Sequence, residues 1–220
     1  MGKLVNIISR LHKRTKREYL KRMADDKVAC MKVAKKYGFD YWDGDRRYGY
    51  GGYKYDGRWR LVAQKLISLY GLKKNARILD IGCGMAHLLF EFKKLLARVE
   101  VVGFDISIYA ITHAPNEVKP YLQIRKAQEK YPYSDNYFDL VISINTLHNL
   151  KIHDLQKAIS QIERVGKRKY IVVESFRNEL ELYNLQCWAL TCQSFFAKDE
   201  WIWLFRQFGY TGDYEFIYFE

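Results

Sequence analysis

Proline is scarce in this chain, at three in 220 residues, and no repeated, Ser/Gly-rich or low-complexity tract interrupts it. That excludes a proline-rich spacer as an organising feature, so one domain with a modest appendage is expected. No run of 18 apolar residues occurs, so no membrane-spanning helix is expected. Leu4–Ile8 is too short for a secretory signal core, and a basic stretch follows it. Cysteine is sparse as well. Cys30, Cys83, Cys187 and Cys192 form no Cys-x-x-Cys pair. Neither a zinc site nor a disulfide framework is expected, and a reducing, cytoplasmic setting fits best.

Aromatic side chains and positive charge are plentiful. The chain has 18 Tyr, 12 Phe and 5 Trp, and its 49% hydrophobic content is enough for a proper core. The formal net charge of +12 sits almost wholly at the front. Residues 1–60 hold 17 Lys/Arg against 7 Asp/Glu, whereas the remaining 160 hold 20 against 18. The basic run HKRTKR, residues 12–17, reads as a solvated helix face or as a docking element. The docking partner would be an anionic substrate, an RNA or an acidic surface.

The stretch that organises the rest is ARILDIGCGMA, residues 76–86. Ile78, Leu79 and Ile81 make a buried strand, Gly82, Cys83 and Gly84 a tight turn, and Ala86, Leu88, Leu89 and Phe92 follow at helical spacing. This opens a βαβ unit whose turn offers backbone N–H groups and a helix N-terminus to a ligand. A second strand, Val99–Phe104, ends in Asp105, 25 residues after Asp80. An acidic residue there is placed to hold a ribose diol. After the fourth strand stand Asn145 and His148, and after the fifth stands Glu174. All lie at the carboxyl edge where ligands of such sheets bind.

LDIGCGMA, VVGFDIS and YPYSDNYFDLVISINTLHNL, spanning about Leu72 to Glu174, resemble in order and spacing the motifs of class I S-adenosylmethionine-dependent methyltransferases. The resemblance implies an α/β fold, a doubly wound, mostly parallel, Rossmann-like sheet of six or seven strands. Residues 71–220 would form this domain, under a helical, Tyr/Gly-rich N-terminal cover of residues 1–70. S-adenosyl-L-methionine would be the cofactor, with no metal. Its contacts would be Asp80, Gly82, Cys83, Gly84, Asp105, Ile106 and Asn145. Two departures are visible: Ala86 replaces a third glycine, and Ala127 and Gln128 stand where an acidic residue is usual. The Gln128 amide or the backbone would then meet the adenine.

Residues 39–60, FDYWDGDRRYGYGGYKYDGRWR, have the most unusual composition in the chain and read as a shaped loop with tyrosine walls. By the resemblance, Arg58 would pair with the methionine carboxylate, and Tyr50 or Tyr53 would line the methyl end. His148 is the first choice for a general base. Glu174 is the alternative base or the group that orients a polar substrate, and Tyr53 would orient the acceptor. His87 reads as structural. The GYGGYKYDGRW segment resembles that of bacterial methyltransferases of surface-polysaccharide biosynthesis. A small polar or anionic metabolite, such as a nucleotide-linked sugar or phosphorylated intermediate, is therefore the expected acceptor. An RNA or protein methyltransferase docking through the basic N-terminus is the alternative, as is a non-catalytic cofactor-binding protein. No oligomeric state is legible.

The remaining expectations concern elements. One helix is expected over 3–24, and a second is capped by Asp25 or Asp26 and ended by Gly38. A third, Arg60–Tyr70, would turn Leu61, Val62, Leu66, Ile67 and Leu69 inward, with Gly71 as its stop. Further strands are expected at Tyr121–Arg125, Phe138–Ile144 and Lys169–Val173, and helices at Asp154–Val165, 177–192 and Asp199–Phe208. Tyr214–Phe219 would close the sheet as an antiparallel edge strand, as in the family.

Overall fold

The structure, a computed structural model, describes residues 2–13 and 15–220; Arg14 of the basic run lies outside them. Apolar runs build its centre. The strands are β1 (Arg77–Ile81), β2 (Glu100–Asp105), β3 (Leu122–Ile124), β4 (Leu140–Ile144), β5 (Lys169–Glu174) and β6 (Asp213–Ile217). They form one sheet of order β3-β2-β1-β4-β5-β6, parallel throughout. Alternate side chains serve opposite faces, as strand geometry requires. Ile78, Val101, Leu140 and Val172 join one buried cluster, while Leu79, Phe104, Val141 and Ile171 join the other.

Helices cover both faces. At the N-terminus are α1 (Ser9–Lys13), α2 (Tyr19–Ala24), α3 (Lys27–Ala34), α4 (Phe39–Trp42) and α5 (Trp59–Tyr70). Within the sheet's connections lie α6 (His87–Leu95), α7 (Ile108–Thr112), α8 (Ile152–Val165), α9 (Glu179–Trp188) and α10 (Lys198–Gln207). The Asp26 side chain caps α3 by accepting from the Ala29 N–H at 3.0 Å. Helix α5 ends at Gly71 in the left-handed conformation, φ +56°.

Besides the second helix, α3, which ends at Ala34 while Gly38 instead starts α4, three expectations are corrected. Residues 3–24 do not form one helix: Leu4 bridges Tyr214 in parallel, and only α1 and α2 are helical. The Glu215 carboxylate takes the N–H groups of Ile7, Ile8 and Ser9, which holds the preceding residues extended along the outer edge of β6. This also covers an edge that would otherwise be open to pairing. Second, β6 runs parallel to β5, not antiparallel. Helices α9 and α10 carry the chain back across the sheet before it re-enters, so it returns in the original direction. Third, α5 buries Val62, Ala63, Leu66 and Tyr70, whereas Leu61 and Leu69 face solvent. Spacing by four selects one stripe, and those two leucines lie off it.

Candidate active site

The turn after β1 is shaped by close approach. Gly82 has φ +76°, and a Cβ there would fall 1.9 Å from the Thr146 Oγ1. Gly84 has φ +55°, and its Cβ would meet the Trp42 ring at 2.8 Å. Ala86, in place of a third glycine, keeps the left-handed backbone at φ +55°, strain of about 1–2 kcal/mol for an L-residue. Asp105 braces the turn, its carboxylate accepting from the Gly84 N–H and the Ser107 N–H, each at 2.8 Å.

Against this turn lies a cavity of about 400 Å³. Asp80, Asp105, Ile106, Gln128 and Asn145 all line it. Asp80 is nearly buried, and no cation pairs with either Asp80 or Asp105 among the described residues. Burial and the charge of Asp105 push the Asp80 carboxyl up to about 8, and burial raises Asp105 as well. The same surroundings raise the Cys83 thiol, which keeps it protonated. Asn145, at φ +55°, presents a buried Oδ1 with no partner. Two unpaired carboxylates and an orphaned amide oxygen suit a ligand with hydroxyl donors and positive charge. S-adenosylmethionine, with its ribose, ammonium and sulfonium, meets that description.

A pH dependence follows. The folded chain holds a proton on Asp80 that the unfolded chain has released. Stability without ligand is therefore fullest below the usual carboxylate range and falls as pH rises to about 8. A cationic ligand favours the ionised pair, so the rise in melting temperature on adding S-adenosylmethionine should be larger at about pH 8 than at about pH 6. Equal shifts at both pH values would mean that the ligand does not meet these carboxylates.

A second cavity, of about 550 Å³, adjoins the first: Tyr50, Tyr53, Trp59 and Asn145 line both. Its wall is an aromatic stack. Tyr50 lies flat on Trp42 with centroids 5.2 Å apart, and Tyr53 lies flat on His87 at 5.1 Å. The loop is fastened by Tyr50 N–H to Tyr41 O at 2.8 Å, Gly52 N–H to Trp42 O at 3.0 Å, and Tyr53 N–H to the Asp43 Oδ1 at 2.9 Å. His148 and Glu174 also line this cavity. The His148 Nδ1 accepts from the Glu174 N–H at 3.2 Å, which leaves its Nε2 as the protonated nitrogen, 3.4 Å from the Glu174 Oε2. Burial lowers the pKa of His148 and keeps it neutral. Arg58 stands on the second cavity rather than the first, its Nε donating to the Asp56 carboxylate at 2.7 and 2.9 Å.

Tyr41, Trp42 and Trp59 also line these cavities; all three lie within the tyrosine-rich segment of residues 39–60, and no finer pattern there marks them. Trp188 and Arg46 also line the second cavity, and no local pattern singles them out. Arg17 does so too, and it belongs to the basic run.

Residues 72–209 match the sequence profile of a methyltransferase domain family. The mitochondrial arginine-hydroxylase NDUFAF5 of Mus musculus is 33% identical over 113 residues, covering 50% of this chain and 31% of that protein. An uncharacterised methyltransferase of Schizosaccharomyces pombe is 30% identical over 109 residues, covering 44% and 38%. The chain thus spans about a third of the length of these curated relatives. Among solved structures, the YcgJ protein of Bacillus subtilis superposes with a TM-score of 0.53 at 20% identity, covering 66% of each chain. A chain of the complex between the Haloferax volcanii Trm112 methyltransferase activator and a methyltransferase gives 0.57 at 16%, covering 84% of this chain and 76% of that one. Likeness at these identities shows a shared fold.

Proposed function

We propose, for a chain that belongs to the class I S-adenosylmethionine-dependent methyltransferases, that it transfers a methyl group to a small polar or anionic acceptor held in the second cavity. The observation that carries this reading is the junction of the two cavities at Tyr50, Tyr53 and Asn145, beside the Glu174–His148 pair. The cofactor supplies an electrophilic methyl on a sulfonium. This chain's residues then supply alignment and a place for a proton.

In this reading Asp105 holds the ribose diol, Asp80 favours the cationic end of the ligand, and Asn145 accepts a hydrogen bond that it lacks within the protein. Gly82, Cys83 and Gly84 let the backbone come close, while Ile106 and Gln128 bound the adenine side. Tyr50 and Tyr53 separate the methyl end from solvent. Glu174 takes the acceptor's proton. The His148 Nδ1 is already occupied by a backbone donor, so His148 holds Glu174 in place instead of acting as the base. A phosphorylated or nucleotide-linked sugar, of the kind surface-polysaccharide methyltransferases use, is the acceptor class we favour. The aromatic wall, packed through Trp42 and His87, supports a small acceptor over RNA or protein. The four free cysteines suit a reducing compartment such as the cytoplasm.

Two measurements test this. Incubation with labelled cofactor and separate metabolite and RNA pools should place the label in the metabolite pool; label in RNA alone would overturn the choice of acceptor. Asp105→Asn should weaken binding of cofactor and demethylated product about ten- to a hundredfold, the loss of charge-assisted hydrogen bonds to a diol. Unchanged calorimetric affinity in the folded variant would remove the ribose assignment.

A further inference from the structure

Three arginines, Arg17 and Arg22 from the N-terminal segment and Arg46 from the tyrosine-rich loop, gather around the Trp188 ring at the second cavity. Their guanidinium carbons lie 5.5 Å (Arg17), 4.1 Å (Arg22) and 4.9 Å (Arg46) from the ring centroid. Among the described residues none of the three has a carboxylate partner. Main-chain carbonyls hold them instead, Arg17 by His12 and Thr15 at 3.3 and 3.0 Å, Arg22 by Arg46, and Arg46 by Gly49 and Tyr50 at 2.8 Å, and Arg17 also meets the His12 Nδ1 at 3.1 Å. A guanidinium has five N–H donors, so these contacts leave several unused. The Arg17 Nε and the His12 Nε2 beside it are buried with no partner at all.

Such a gathering is unfavourable for the protein alone. Burial, with Arg46 adding repulsion, lowers Arg22 to about 10 and lowers Arg17 as well. The arrangement is nevertheless built: one indole packs against all three guanidinium groups, which keep N–H donors to spare. Of the two carboxylates on the cavity wall, Asp56 is engaged by Arg58 and Glu174 faces His148. The cavity wall therefore carries an excess of positive charge, with Arg17, Arg22, Arg46, Lys54 and Arg58 against Asp56 and Glu174.

We infer that Arg17, Arg22 and Arg46 on Trp188 form a phosphoryl subsite, and that the acceptor enters the second cavity with a phosphate or diphosphate group seated there. The inference rests on reading that cavity as the acceptor's. Three forked donors around one point match the several oxygens and double charge of a phosphoryl group better than a single carboxylate. The subsite also reaches the wall: Arg46 grips the carbonyls of Gly49 and Tyr50, and Arg22 grips that of Arg46. An anion drawing on the free edges of these side chains would brace the tyrosine loop from below. The basic N-terminal segment thereby gains a defined role, since it delivers Arg17 and Arg22.

The test is calorimetric titration of the full chain, saturated with S-adenosylhomocysteine, using inorganic pyrophosphate, inorganic phosphate and malonate at one ionic strength. Pyrophosphate should bind at one site, and malonate at least about tenfold more weakly. Arg17→Gln and Arg46→Gln should each lower pyrophosphate affinity about ten- to a hundredfold, and in Arg17→Gln, whose hydrogen-bond partners lie off the first cavity, S-adenosylhomocysteine affinity should stay within about twofold. Arg46→Lys, which keeps the charge but not the fork, should fall between wild type and Arg46→Gln, and it keeps the test open if a glutamine variant fails to fold. Equal binding of malonate and pyrophosphate would overturn the subsite, as would folded Gln variants that bind pyrophosphate normally. Displacement of pyrophosphate by an RNA oligonucleotide that binds more tightly at the same ionic strength would overturn it in favour of a polynucleotide. Absence of S-adenosylhomocysteine binding would instead count against the methyltransferase reading, which separates the two failures.

Discussion

Replacing Glu174 with Gln is expected to lower turnover about a hundred- to ten-thousandfold, the usual contribution of a positioned general base. Cofactor affinity should change little, because Glu174 lines the second cavity and not the first. The substitution is nearly isosteric, and the backbone that fixes the residue is untouched. Its N–H donates to the His148 Nδ1, and its carbonyl accepts from the Trp201 Nε1 at 3.1 Å. His148→Gln should cost less, about tenfold, since it loosens the carboxylate without removing it. Single-turnover kinetics separates the two roles: the Glu174 variant loses the methyl-transfer step, whereas the His148 variant loses both acceptor affinity and rate. A Glu174→Gln variant within a few-fold of wild type would sink the base assignment and point to an acceptor nucleophile, such as a neutral amine, that needs no base. An equal, large loss in His148→Gln alone would restore the imidazole to that role.

The distinction between these two residues was not available in the sequence. His148 and Glu174 lie 26 positions apart, at the ends of neighbouring strands, and both read as candidate bases. Only the backbone of β5 reveals that one imidazole nitrogen is occupied. The central strands were legible for the opposite reason. Ile78–Ile81 and Leu140–Ile144 are buried on both faces, so their apolar runs have one reading as parallel strands. The glycine turn was equally clear, because Gly82 and Gly84 adopt backbone conformations that few other residues tolerate. The direction of β6 was hidden, since Tyr214–Phe216 would suit an edge strand of either sense. Its direction depends on where α9 and α10 deliver the chain. The arginine cluster was hidden too. It is assembled from residues 17, 22, 46 and 188, and only Arg17 stood in a recognisably basic run.

The start of the helix expected over 3–24 is drawn instead to β6, and one of the contacts that holds it there, Glu215, carries the second large effect. Glu215, 1% exposed on β6, accepts from the N–H groups of Ile7 at 2.6 Å, Ile8 at 2.9 Å and Ser9 at 2.7 Å, and from the Ser9 hydroxyl at 2.7 Å. The Tyr170 hydroxyl donates to it as well. No Lys or Arg pairs with it among the described residues, so the donors near the start of α1, with the Tyr170 hydroxyl, compensate for the buried carboxylate. Glu215→Ala strands several buried donors at once and should cost about 3–5 kcal/mol, a large share of a domain's total stability. For a chain of this size that corresponds to a fall of about 6–20 °C in melting temperature. Glu215→Gln, which puts an NH₂ among donors, should recover little of the loss. The effect should also reach the site. Residues 2–5 run along β6, and Ile8, Leu11 and His12, which follow them, line the second cavity with Arg17. At a temperature where Glu215→Ala remains folded, acceptor affinity should therefore fall while S-adenosylhomocysteine affinity, which depends on the β1–β4 end of the sheet, holds. A melting temperature within about 3 °C of wild type would show that the carboxylate is not the clasp. Equal losses of cofactor and acceptor binding would show that it supports the whole sheet and not this wall.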